Sequence, residues 1–126
     1  MPLDSDNGSE RKPAPYPSPP SMLDRLKKLM PERERLQQIY LSALLAFAQI
    51  QFENQDFNSA LALGKQVLTV DSCQEEAHRL LMRIYAAQRN PVLIIRQYEL
   101  CCKALRDDLA AEPSTQTRAL YQTLTR

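Results

Sequence analysis

Residues 75–91, "EEAHRLLMRIYAAQRNP", decide the fold of this chain. Leu80, Leu81, Ile84 and Tyr85 recur at the i, i+1, i+4, i+5 positions of one helical face, and period-2 alternation is absent. Two acidic residues open the segment, where the positive end of a helix dipole favours them, and Asn90-Pro91 closes it. His78, Arg79 and Arg83 stand in or beside the stripe. A histidine between arginines can serve catalysis, phosphate binding or packing, and the flanking sequence has to decide which.

The segments on either side are helical too. Downstream, Asn90 is placed to cap a helix that starts with Pro91 and carries Ile94, Tyr98, Cys101 and Leu105. Upstream, Asp56 caps a helix with Phe57, Ala60, Leu61, Gly64, Val67 and Leu68 on one face. Gly64 costs about 1 kcal/mol against Ala in a helix interior, so its presence predicts close backbone packing on a neighbouring helix. "SCQE" at 72–75 has the capping-box shape, with Ser72 as the expected cap. "SMLD" at 21–24 has the same shape and predicts a short helix bearing Leu23, Leu26 and Met30. Pro31 then suits the first position of a separate long helix ending near Asn54, with Leu36, Tyr40, Ala43, Leu44, Phe47 and Ile50 as its apolar stripe. A last helix carries Leu120, Tyr121 and Leu124. Short connections between helices imply antiparallel neighbours.

Composition agrees. Of 126 residues only two are Gly, which does not suit a fold rich in tight turns, and 25% are charged, as in ordinary globular domains. Sixteen Lys and Arg nearly balance 15 Asp and Glu. A net charge of +1 supplies little counterion release and so argues against a stand-alone DNA binder. No apolar run approaches the roughly 18 residues of a membrane span. The N-terminus has no signal pattern, so the expected compartment is cytoplasmic. Residues 1–20 hold six of the nine prolines and are expected to be a disordered tail or linker, with 21–126 forming the domain. "PAPYPSPP" within that tail has the composition of a polyproline ligand.

No catalytic, cofactor or metal constellation appears. Cys73, Cys101 and Cys102 have no metal-ligand spacing and read as small apolar positions. His78 has no nucleophile or carboxylate at a defined spacing, and no Gly-rich phosphate loop is present. The expectation is a non-enzyme without a cofactor.

The helices repeat with a period of 34, the tetratricopeptide length. Ala60 and Ile94, Gly64 and Tyr98, Phe47 and Leu81, and Ala48 and Met82 are so related. The fold class expected is therefore all-α: a tetratricopeptide-like stack of antiparallel helix pairs with a C-terminal capping helix. Beyond the repeat, "PERERLQQIYLSALLAFA", Glu76-Ala77-His78-Arg79 with Leu80-Leu81-Met82 and Tyr85, Arg96-Gln97-Tyr98-Glu99, and Glu112-Pro113-Ser114 with Thr117 and Leu120-Tyr121 resemble the bacterial transcriptional activator domain over about residues 31–125. The resemblance implies a tetratricopeptide-like domain of bacterial regulators that usually follows a winged helix. Residues 1–30 are too short and proline-rich to be one, so direct DNA recognition by this chain is not expected. The family usually has Gly in an "LGxEP" turn where Leu109-Ala110-Ala111-Glu112-Pro113 stand, and another near Arg89, where Asn90 is the residue expected to take the left-handed conformation.

Such a chain would act by docking on a protein: the transcription machinery, a DNA-binding regulator or a second copy of itself. The competing reading is a free-standing tetratricopeptide adaptor unconnected with transcription. In a stack of helix pairs, the first helix of each pair lines the concave surface. Glu76, Arg79, Arg83 and Ala86 share one face of the second pair, and Ser42, Leu45, Gln49 and Phe52 the equivalent face of the first. Gln49, Phe52, Glu76, Arg79 and Arg83 are the candidate partner-binding residues. Two guanidinium groups one turn apart suit the carboxylates of an acidic or amphipathic peptide. The alternative is that both arginines pair with Glu75 and Glu76 as surface charge.

Overall fold

A computed structural model describes the backbone of residues 19–126 and the side chains from residue 31 onward. The expected tail at 1–20 therefore lies almost wholly outside the described residues, as do the Leu23, Leu26 and Met30 side chains. Among the described residues there are five helices: α1 Pro19–Glu53, α2 Phe57–Val70, α3 Glu75–Ala87, α4 Pro91–Leu109 and α5 Thr115–Leu124. No strand occurs among the described residues. The all-α expectation holds.

The helix starts differ from the sequence expectation at three points. Pro31 lies inside α1 instead of opening a new helix. Its missing N–H removes one bond from the helix ladder, but a 35-residue helix carries enough other bonds to run through the gap. The cap of α3 is Gln74, not Ser72. Ser72 instead hydrogen-bonds the Asp108 carboxylate on α4 at 3.1 Å, and Glu75 reaches α5. Asp56 and Asn90 cap as expected, accepting from the Ser59 and Leu93 N–H groups, whereas Ser21, the expected cap of a short helix, lies inside α1. Ser114, which the sequence reading did not single out, caps α5 by accepting from Thr117.

The chain divides into two units, 1–38 and 39–126, and all packing described here belongs to the second. Helix α3 is its centre, packed against α2, α4 and α5. It buries Ala77, His78, Leu80, Leu81, Met82, Ile84 and Tyr85. Gly64 explains how closely α2 approaches: a Cβ at that position would stand 3.0 Å from Leu81 Cδ2. On α4, Ile94, Cys101 and Leu105 face inward, and burial pushes the Cys101 thiol up to about 12. The Tyr98 and Tyr121 rings stack 3.9 Å apart, joining α4 to α5.

The stripe expected on α1 is rotated. Leu41, Leu45 and Ala48 are buried, packed in clusters with Val67 and Ala77 and with Ala60 and Leu81. Leu36, Tyr40, Phe47 and Ile50 are exposed, as is Ala43, and Leu44 is half-buried. The 34-residue repeat shows why. Leu81 is covered by the helix pair that precedes it, whereas Phe47, its counterpart, has no helix of the 39–126 unit upon it.

Helices α1, α3 and α4 end alike. Gln55, Arg89 and Ala110 adopt left-handed conformations, with φ of 64°, 56° and 50°. After the first two, the next N–H bonds back to a carbonyl five residues earlier, Asp56 to Gln51 and Asn90 to Tyr85, which is the Schellman arrangement built without glycine. After Ala110 the Ala111 N–H reaches Leu105, six residues earlier, a wider closure. Arg89, not Asn90, takes the left-handed position, because Asn90, at φ −119° and ψ 82°, serves as the cap of α4.

Candidate docking groove

The five candidate residues fall on two helices of the 39–126 unit. On α1, Gln49 is half-buried and its amide donates to Glu53 at 3.3 Å. Phe52, also half-buried, packs on the core with its ring tilted 52° against Phe57 at 5.8 Å. Leu45, expected beside them on the groove face, is buried.

On α3, Glu76 is exposed and Arg83 half-buried. Burial, and then the neighbouring charge of Arg79, hold the Arg83 guanidinium below its ordinary value, while Glu76 acts the other way. Arg79 is committed within the chain: its Nη1 donates to Thr117 Oγ1 at 2.9 Å. The two arginines are thus unlike. Arg83 has no hydrogen-bond partner among the described residues, and Arg79 fastens α5.

The fastening is a small network. Thr117, fully buried, donates its hydroxyl to Glu75 Oε1 at 2.6 Å while accepting from Arg79. The Ser114 N–H donates to the same Glu75 oxygen at 2.9 Å. Burial pushes the Glu75 carboxyl up, but the hydrogen bonds from Thr117 and Ser114, with the Arg79 charge, outweigh it and leave the group below its usual value. Arg79 Nε is buried without a partner among the described residues. Sequence reasoning missed this network because Glu75 and Thr117 are 42 residues apart. The only local signal was Ser114-x-x-Thr117, a helix N-cap pattern.

His78 is buried, and both of its nitrogens are engaged. The Ser72 carbonyl lies 2.8 Å from Nε2, so Nε2 carries the proton, and Nδ1 accepts from the Gln97 amide at 2.7 Å. Desolvation holds the ring below its ordinary value, although the Ser72 carbonyl and the charges of Glu75 and Asp71 pull upward. A neutral ring so held ties α3 to α4 and to the connection before it. The pair forms the floor of a cleft of about 350 Å³ lined also by Leu68, Leu100 and Lys103. His78 therefore presents no free base to that cleft.

No helix among the described residues is long and apolar enough to cross a membrane. No match was found among curated proteins or among solved structures. The profile of one family, the bacterial transcriptional activator domain, matches residues 20–125. That match takes in all five helices but the first residue of α1, and it agrees with the helix-pair stack. The chain belongs to the bacterial transcriptional activator domain family.

Proposed function

We propose that this chain is a protein-interaction module of a bacterial transcription regulator, working by docking and not by catalysis. The observation that carries this reading is the half-buried Arg83 beside exposed Glu76 on α3, with Gln49 of α1 at the position 34 residues before Arg83. A partly desolvated guanidinium with a single acidic neighbour suits a carboxylate on an extended or amphipathic segment. Family membership supplies the transcriptional setting. The partner is a component of the transcription machinery, a DNA-binding regulator or a second copy, met in the bacterial cytoplasm. Against catalysis stands His78, the one histidine, whose ring nitrogens are both used in packing.

The test is titration of the isotopically labelled full chain with acidic amphipathic peptides taken from bacterial polymerase subunits and regulators. Binding should perturb the amides of Gln49, Phe52, Glu76 and Arg83, weaken with salt and weaken with Arg83→Ala. If no peptide perturbs that face, or if Arg83→Ala leaves affinity and salt dependence unchanged, the groove reading fails.

Duplex DNA should not be a specific ligand, since a net charge of +1 provides little counterion release. Sequence-selective submicromolar binding in a gel-shift near physiological salt would overturn that statement.

A further inference from the structure

We infer that α1 carries a second interface, on which two copies of this chain pair antiparallel. The inference rests on the interaction-module reading for its setting and adds a second copy as a partner, on a face separate from the groove.

Ile39, Tyr40, Phe47 and Ile50 are 59%, 47%, 51% and 51% exposed, and Ala43 and Ala46 between them are exposed too. At 3.6 residues per turn these six positions span about 120° of the helix surface, opposite buried Leu41, Leu45 and Ala48. No charged residue occurs anywhere from 36 to 52. An apolar, uncharged helix face left open is unusual on a monomer.

The internal repeat shows what such a face accommodates. Ala43, Ala46, Phe47 and Ile50 precede Ala77, Leu80, Leu81 and Ile84 by 34 positions. All four later residues are buried, on the helix that packs against α2, α4 and α5. A helix is therefore the element that fits the α1 face.

The occupant is singled out by symmetry. Tyr40, Ala43, Phe47 and Ile50 are spaced 3, 4 and 3, a pattern that reads the same in both directions about residue 45. Antiparallel pairing about that point sets Ala43 against Phe47 of the second copy and Tyr40 against Ile50. Phe47 then lies over Ala43 on both sides of the two-fold axis, while Tyr40, whose hydroxyl accepts from Gln66 at 3.0 Å, meets Ile50 at the ends, an arrangement self-complementary as an isologous dimer requires. The absence of charge removes like-charge repulsion between identical faces.

The expected strength follows from area. Four half-exposed side chains of roughly 150–250 Å² each offer about 400 Å² per copy. A standard interface contributes about 800 Å² per partner. The dimer should accordingly be weak, with a dissociation constant on the order of tens to hundreds of micromolar.

Sedimentation equilibrium of the full chain from about 5 to about 500 μM tests this. The wild type should shift from monomer to dimer over that range. Phe47→Ala, which leaves small against small, and Ala43→Phe, which sets large against large, should each weaken association at least about tenfold. The double variant exchanges the two sizes and should recover association. Both positions are exposed, so far-UV circular dichroism should be unchanged in all three. Arg83→Ala should leave dimerisation as it is, so the groove and this face fail or stand separately. A chain that stays monomeric throughout, including one whose face binds some other protein, overturns the inference. So does a dimer indifferent to Phe47→Ala or a double variant that does not recover.

Discussion

Replacing Thr117 with Val keeps the shape of a fully buried side chain and deletes its hydroxyl. The hydroxyl is the shared point between Glu75 at 2.6 Å and Arg79 at 2.9 Å. In the variant Glu75 retains the Ser114 N–H, but the Arg79 Nη1 loses its acceptor, next to an Nε that already has none among the described residues. Hydrogen bonds to charged groups contribute about 1.5–3 kcal/mol each. Both partners are only half-buried and water screens part of the loss. The net cost expected is about 2 kcal/mol, or roughly 6–10 °C in melting temperature for a domain of this size. Thr117→Ser provides the comparison: it keeps the network and removes one buried methyl, at about 1 kcal/mol. Thermal and urea unfolding followed by circular dichroism read both variants. If Thr117→Ser proves more damaging than Thr117→Val, apolar packing and not the polar network holds α5, and the reasoning is refuted.

Two further outcomes follow from particular residues. Because His78 is held below its ordinary value in the fold, the unfolded chain binds the proton more tightly. Stability should be fully present above about pH 6.5 and decline as pH falls below it. Glu75, whose value is lowered, begins to lose its contribution only nearer pH 4.5. Urea midpoints at about pH 7.5 and 5.5 therefore isolate His78; His78→Gln should flatten the difference, and an unchanged slope would contradict the assignment. Ala110 sits at φ 50°, ψ 42°, where a side chain costs about 1–2 kcal/mol. Ala110→Gly relieves that strain but frees the unfolded chain by about 0.4–1 kcal/mol. The expected gain is about 0.5–1 kcal/mol, read as a higher urea midpoint; a loss would mean the turn is not strained.

Helices α2, α3 and α4 were legible because each carries apolar residues on one face and polar residues on the other, and Asp56 and Asn90 mark the starts of α2 and α4. Gly64 announced a close helix approach, and Leu81 is what approaches it. α1 was misread on rotation for a physical reason. Residues 36–52 contain no charge, so apolar residues surround the helix and periodicity alone cannot choose a face. Val67 and Ala77 make the choice, by packing on Leu41 and Leu45. Ser72 is the cap of α3 expected from the sequence, but α4 brings Asp108 within 3.1 Å of its hydroxyl and Gln74 takes the cap position. In the candidate groove, the sequence placed Arg79 and Arg83 one turn apart on one helix. Their different employment depends on Thr117, 38 residues from Arg79, and such pairings have no local signature.

The central place of α3 also sets the order in which the structure can come apart. Helices α2, α4 and α5 all pack on it, whereas among the described contacts α5 packs on α3 and α4. Opening α5 costs the tyrosine stack and the Thr117 network and leaves the packing of α2, α3 and α4 in place. Amide hydrogens of α3 should therefore exchange only through global unfolding, while those of α5 escape through a smaller, local opening. The chain thus has a deep kinetic layer around Leu81 and Ile84 and a shallow one at its last ten helical residues.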